Sequence, residues 1–162
     1  MSKLKYVDTL ISFSEVPDEI TLCINISNCP NNCKGCHSPY LANDIGEILD
    51  TVKLQELIYS SKGISCVCFM GGDAMPEQVD FLAFSVKLRS NYPKLKTAWY
   101  SGKSEISDKI HLFNFDYIKI GPYIEELGGL DSKNTNQIMY KIEDDKLIDI
   151  TYRFRHDFKS SI

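Results

Sequence analysis

The sequence predicts an α/β fold built around a parallel sheet, and three observations support this. Apolar runs of the kind found in buried strands alternate with segments whose apolar residues have helical spacing. The connections between these segments are short, as they are in repeated strand-helix-strand units. The chain has 162 residues, of which 43% are hydrophobic, so it can bury one core but falls short of the ~250 residues of a complete eight-stranded barrel. We therefore expect one domain over residues 1–162.

Four segments are predicted to be parallel strands. Residues 20–27 are rich in β-branched side chains and almost continuously apolar, as in a strand that is covered on both faces. Three later segments have the same character, at residues 65–70, 96–100 and 117–120. The first of the four strands leads directly into a loop that contains three cysteines.

Helices are predicted between these strands. Asp50 is a good N-cap for a helix that runs to Ser61, and Pro76 suits the first turn of a second helix that ends near Asn91. A third, short helix is expected over residues 104–111. Each helix would connect two neighbouring parallel strands.

The C-terminal third has a different pattern. Residues 137–142 and 146–151 both read as strands, and the acidic segment 143–145 separates them. This arrangement predicts a C-terminal β-hairpin.

Three cysteines in one short loop are the strongest indication of function in the sequence. Cys29, Cys33 and Cys36 form a C-x3-C-x2-C pattern, and Gly35 allows the backbone to turn so that the three sulfurs face inward. Cuboidal iron–sulfur clusters usually have four cysteine ligands, and this loop has no fourth. One iron would then have no protein ligand and would be open to chemistry.

Zinc binding and disulfide pairing remain open as alternative roles for the cysteines. Zinc could be held by Cys29, Cys33, Cys36 and His37, although adjacent ligands are awkward and no second metal-binding clip follows in the sequence. Six cysteines could also pair as disulfides. Because residues 1–8 lack the apolar segment of a secretory signal, we expect a reducing compartment instead.

Glycine-rich loops are expected to meet the cysteine loop at one edge of the sheet. Loops at the carboxyl ends of parallel strands share one edge, where ligands bind. Gly71 and Gly72 would let a small molecule approach the main chain, and their carbonyls or the Asp73 carboxylate could accept hydrogen bonds from an ammonium group. Residues 101–103 and 121–123 follow the next two strands. The sequence thus predicts a ligand site shared by four loops.

Composition limits the partners and the location. The net charge is −4 and the pI about 5.4, which gives no electrostatic footprint for nucleic acid. No apolar run approaches the ~18 residues needed to cross a bilayer. We expect a cytoplasmic protein with neither nucleic acid nor membrane as a partner.

These motifs together resemble the radical S-adenosylmethionine enzymes. The cysteine spacing and the Gly71-Gly72-Asp73 segment match that family, and the short form of residues 33–37 is similar to the activating proteins of anaerobic ribonucleoside-triphosphate reductase. Weaker similarity at residues 99–102, 117–123 and 134–137 extends the resemblance over roughly residues 20–137. The fold then expected is a partial (β/α) barrel of parallel strands, open on one side, with the C-terminal hairpin.

The resemblance also implies the cofactors and their ligands. A [4Fe-4S] cluster would be held by Cys29, Cys33 and Cys36, and S-adenosylmethionine would bind at the open iron. Gly35 departs from the aromatic residue that many members have against the adenine, which leaves the main chain of residues 35–37 as the expected contact. The cofactor contacts expected in this chain are Gly35, Cys36, His37, Gly71, Gly72, Asp73 and Ser101.

The function that the resemblance implies is activation of another protein. A reducing donor such as flavodoxin or ferredoxin would drive cleavage of S-adenosylmethionine, with removal of a hydrogen atom from a glycine of the anaerobic (class III) ribonucleoside-triphosphate reductase. No side chain is assigned a catalytic role beyond holding the cluster and cofactor. The alternatives are activation of another glycyl radical enzyme such as pyruvate formate-lyase, modification of a small molecule, and a non-enzymatic interaction domain held by zinc.

Overall fold

The computed structural model describes residues 3–89 and 94–155. Within them the chain forms one eight-stranded sheet and two α-helices, with three short 3-10 helices in the connections. The strands are β1 (Lys5–Ser12), β2 (Thr21–Ile26), β3 (Glu47–Ile48), β4 (Cys66–Gly71), β5 (Lys96–Tyr100), β6 (Tyr117–Ile120), β7 (Ile138–Glu143) and β8 (Lys146–Asp149), and the helices are α1 (Thr51–Ser60) and α2 (Pro76–Arg89).

The sheet is mixed, and the predicted partial (β/α) barrel of parallel strands was wrong. The strand order is β3-β1-β2-β4-β5-β6-β7-β8. The three central pairings, from β2 to β6, are parallel, whereas the four outer pairings are antiparallel. To extend towards a barrel, the parallel sheet would need further parallel strands beside β2 and β6. These positions are occupied by β1 and β7, which run antiparallel to their neighbours.

The connection between β5 and β6 also departs from the prediction, because the expected helix over residues 104–111 is absent from this described segment. The Ser107 hydroxyl accepts a hydrogen bond from the Lys109 N–H, and the Ile110 N–H donates to the Ser107 carbonyl, which together close a tight turn. The His111 N–H then donates to Asp80 on α2 at 2.8 Å. Local side-chain bonding and an anchor on α2 replace helical hydrogen bonds here.

The two α-helices begin where capping chemistry predicts. Asp50 accepts a hydrogen bond from the Lys53 N–H at 2.9 Å, and Pro76 is the first residue of α2. The predicted end of α2 near Asn91 lies outside the described residues. Neither helix is long and apolar enough to cross a membrane, within the part of the chain that the structure describes.

The C-terminal hairpin is present as β7 and β8. Asp144 and Asp145 connect the two strands and both have positive φ, 51° and 60°. A two-residue turn of this kind matches the right-handed twist of paired strands, and aspartate tolerates the left-handed region better than most residues do. The single domain expected over residues 1–162 stays a prediction.

Both helices pack on the same face of the sheet. The larger core contains alternate strand residues such as Ile24, Phe69 and Trp99, together with Leu54 of α1 and Leu82 of α2. A smaller core lies around the residues that point to the other face, and the β1–β2 connection and the C-terminal segment cover it. Its members are Val16, Cys66, Cys68, Ala98, Tyr100, Tyr117, Met139 and Ile150.

Candidate functional site

One cavity of about 710 Å³ lies at the carboxyl edge of the parallel strands. The loops after β2, β4, β5 and β6 all contribute to its lining, including the cysteine loop (residues 29–36) and residues 71–73. Its volume is within the ~300–1,000 Å³ range that is typical of small-molecule sites. The four loops that the sequence predicted to share a ligand site therefore border one space.

The cysteine loop turns where glycine and asparagine permit it. Asn32 has a φ of +46° and Gly35 a φ of +77°, in the left-handed region that these two residue types tolerate best. The Cys29 N–H donates to the Leu41 carbonyl at 2.9 Å, and the Cys36 N–H donates to the Cys33 carbonyl at 3.2 Å. These bonds hold the loop above the end of β2.

The three loop cysteines are all half-buried and line the cavity. Cys36 Sγ accepts a hydrogen bond from the Ser38 N–H at 3.4 Å, a contact of the kind that tunes iron–sulfur centres. Thiolates on a single loop, open to a cavity on one side, form a donor set that fits an iron–sulfur cluster.

The other three cysteines differ from these in burial. Cys23, Cys66 and Cys68 are buried in the strands. Burial raises the pKa of the Cys23 thiol to about 12, and it also raises the pKa values of Cys66 and Cys68. Since metals bind the thiolate, these residues are poor ligands and serve as small apolar side chains of the core.

The described residues do not form the zinc site that was considered as an alternative. Among residues 3–89 and 94–155, no three His, Cys, Asp or Glu side chains are grouped so that they could hold one metal ion. The His37 ring instead packs against the Tyr123 ring, with centroids 5.4 Å apart. A cuboidal cluster has a different requirement, because each thiolate binds a separate iron.

Asp73 connects the loops around the cavity. Its Oδ2 accepts hydrogen bonds from Asn31 Nδ2 at 3.0 Å, from Ser101 Oγ at 2.9 Å and from the Gly102 N–H at 2.9 Å. Asn31 belongs to the cysteine loop, so one carboxylate oxygen joins this loop to the loop after β5. The Oδ1 atom accepts none of these three bonds.

The predicted cofactor contacts lie together but not all on the cavity surface. A Cβ atom at Gly72 would come within 2.2 Å of the Ile26 carbonyl oxygen, so glycine is needed there for the chain to pass β2. A Cβ atom at Gly35 would come within 3.4 Å of the Tyr123 ring. Of the seven predicted residues, all of them described, Cys36, His37, Gly71, Asp73 and Ser101 line the cavity, and Gly35 and Gly72 do not.

Two of the cavity residues that were not predicted as site residues have chemistry that suits a ligand. Asn31 lies between the cysteines, where the spacing alone gave it no role. Lys119 lines the cavity with its ammonium group 4.5 Å from the centroid of the Tyr100 ring. Burial lowers the pKa of Lys119, an effect that the negative charge of Glu15 partly opposes. A lysine inside an otherwise apolar buried strand was the signal available in the sequence.

Comparison with known proteins identifies the family. Neither the curated proteins nor the solved structures contain a match to the chain. The family model described as a 4Fe-4S single cluster domain matches residues 20–120, which include the cysteine loop and the parallel strands. This match agrees with the donor set of the cavity and favours iron–sulfur chemistry over zinc. The chain therefore belongs to the family of 4Fe-4S single cluster domains.

Proposed function

We propose that this iron–sulfur protein is a radical S-adenosylmethionine activase that produces a glycyl radical on anaerobic (class III) ribonucleoside-triphosphate reductase. One observation carries the proposal: the three loop cysteines and the Asp73 carboxylate border the same cavity. Of the six cysteines, all within the described residues, only these three line it. A four-iron cluster on three protein thiolates leaves one iron for a second ligand.

Charges on the cavity lining suit the amino-acid end of S-adenosylmethionine. Asp73 keeps its Oδ1 as an acceptor for the ammonium group, while Oδ2 holds Asn31 and Ser101. Lys119 offers a positive charge for the carboxylate, and none of the ion pairs in residues 3–89 and 94–155 includes it. Two opposite charges at one cavity could bind both ends of a zwitterionic amino-acid group and so orient it.

When bound, the cluster and cofactor would supply one-electron cleavage of the C5′–S bond, which would release methionine and leave the hydrogen atom from the glycine on 5′-deoxyadenosine. The electron comes from a low-potential donor such as flavodoxin or ferredoxin. The chain itself would bind three of the four irons through its cysteines and orient the amino-acid group of the cofactor. The bond between Asn31 and Asp73 fixes the cysteine loop.

The first test is the composition of the centre. Protein reconstituted under anaerobic conditions is expected to contain about four iron and four sulfide per chain. S-adenosylmethionine should change the electron paramagnetic resonance spectrum of the reduced cluster, because it binds the open iron. Zinc without sulfide would contradict the proposal and support an interaction domain.

The second test is the product. With S-adenosylmethionine and reductant, the protein should give 5′-deoxyadenosine and a glycyl radical doublet on a cognate class III reductase, and far less radical on pyruvate formate-lyase at equal concentration. Cys33→Ala is the matched control and should give neither product. Equal activation of both enzymes would remove the reductase from the proposal, and cofactor cleavage without a protein radical would indicate a small-molecule substrate.

A further inference from the structure

Tyr123 and Glu125 lie beside the cysteine loop, next to the position that a side chain at residue 35 would take. A Cβ atom built on Gly35 would be 3.4 Å from a ring carbon of Tyr123 and 3.2 Å from the Glu125 carboxyl carbon. The Tyr123 and His37 rings are 5.4 Å apart and tilted by 53°. Both residues line the cavity. The two rings, here called the aromatic wall (His37 and Tyr123), thus border the cavity next to the last cysteine.

The segment that carries Tyr123 is fixed from outside the cavity. Gly121 has a φ of +110°, and a Cβ atom there would lie 2.9 Å from the Gln137 Cα, so the chain can turn after β6 only with glycine. Asn136 Nδ2 donates to the Pro122 carbonyl at 2.9 Å, and Gln137 Nε2 donates to the Gly121 carbonyl at 3.4 Å. These bonds hold the residues just before Tyr123 and give the Asn136-Gln137 pair a positioning role.

The other aromatic rings of the cavity are already engaged. The Tyr100 ring has the Lys119 ammonium group over it, and its hydroxyl donates to the Glu15 carbonyl. Phe154 packs against the smaller core. By contrast, a tilted pair such as the aromatic wall leaves ring surface that does not contact the partner ring, and Tyr123 is only half-buried. This surface is suited to a planar heterocycle.

We propose that the aromatic wall binds the adenine ring of the cofactor, with Tyr123 as the principal contact and with Asn136 and Gln137 as positioning residues. The proposal rests on the proposed function, because it assigns one end of S-adenosylmethionine to residues that the cysteine spacing does not indicate. Asp73 and Lys119 bind the amino-acid end of the cofactor, and the aromatic wall binds its adenine base. Base–aromatic stacking depends on the π-face that every base presents to an aromatic ring.

The test uses cluster-loaded protein and measures binding rather than turnover. Equilibrium dissociation constants are measured anaerobically for S-adenosylmethionine, 5′-deoxyadenosine and methionine. Tyr123→Leu should weaken binding of the first two by about tenfold or more and leave methionine binding unchanged. Tyr123→Phe should retain most of the affinity. Asn136→Ala should weaken 5′-deoxyadenosine binding less than Tyr123→Leu and also leave methionine binding unchanged.

Phe113→Leu is the matched control, because Phe113 is an exposed ring outside the cavity lining and its loss should change none of the three constants. Iron and sulfide content confirms that each variant holds its cluster. Unchanged 5′-deoxyadenosine binding in Tyr123→Leu would overturn the inference, as would an equal loss of methionine binding, which would indicate collapse of the cavity. If the wild-type holoprotein did not bind S-adenosylmethionine at all, the proposed function itself would fail.

Discussion

Replacing Cys33 and Cys68 separately by alanine should divide the cysteines into two functional classes. Cys33 is half-buried at the cavity, whereas Cys68 is completely buried on the opposite face from the helices. Burial raises the pKa of the Cys68 thiol far above its usual range, so that this residue stays protonated at neutral pH. Cys33→Ala should abolish the cluster, and Cys68→Ala should keep it.

The two substitutions should lower stability for different reasons. Cys68→Ala removes one fully buried sulfur from a packed core, which costs on the order of 1 kcal/mol. For a chain of this size that loss corresponds to a decrease in Tm of about 2–4 °C. Cys33→Ala removes no comparable packing, and its destabilisation should come only from loss of the metal-bound state.

The assay is iron and sulfide per chain after identical anaerobic reconstitution, followed by thermal unfolding of the cluster-loaded wild type and Cys68→Ala at one scan rate. Cys23→Ala serves as a second buried control, because this thiol is also protonated, with a pKa of about 12. Full cluster content in Cys33→Ala would refute the ligand assignment. Loss of the cluster from a folded Cys68→Ala protein would refute the division into two classes.

Three further outcomes follow from the cavity. In denaturant titrations, Gly71→Ala should lower the free energy of unfolding by about 1–3 kcal/mol more than Gly63→Ala does. Both glycines have positive φ, but only at Gly71 would a Cβ atom come too close to side chains, at 2.7 Å from Leu41 and 2.9 Å from Asn25. Lys119→Met should weaken S-adenosylmethionine binding. Burial favours the neutral amine and lowers the pKa of Lys119 below 10.5, so wild-type affinity should fall as the pH rises through that lowered pKa. Affinity that stayed constant up to pH 10.5 would contradict this role. Asn31→Ala removes a bond to Asp73 and should speed cluster loss to a chelator, whereas an unchanged rate would exclude Asn31 from holding the loop.

Elements with strong local signals could be predicted from the sequence. Asp50 caps α1 and Pro76 begins α2, because capping and a fixed proline φ act within one turn of helix. The central strands and the C-terminal hairpin also agree with their apolar patterns, with bounds that differ by one or a few residues. Periodicity and turn chemistry operate over short distances, so neighbouring residues carry this information.

The direction in which strands pair could not be predicted in the same way. β1 was missed because Leu10 and Ile11 are exposed neighbours and a register shift between Tyr6 and Asp8 breaks the alternation of a half-buried strand. Once β1 pairs with β2 and β7 with β6, the parallel sheet cannot extend. The choice between parallel and antiparallel pairing depends on contacts between distant segments, which an apolar run does not encode.

The sequence by itself determined that three cysteines lie on one loop directly after a buried strand, with glycines and Asp73 after the next strand, and this pattern predicted an iron–sulfur centre. Only the tertiary structure decided which side chains complete the site. Asp73 accepts a hydrogen bond from Asn31, and Tyr123 and Glu125 both lie beside Gly35. The spacing of the cysteines lies within a loop of a few residues and can therefore be recognised in the sequence. The contacts of Asp73 and Tyr123 join segments tens of residues apart, and they exist only after the sheet brings the strand ends together.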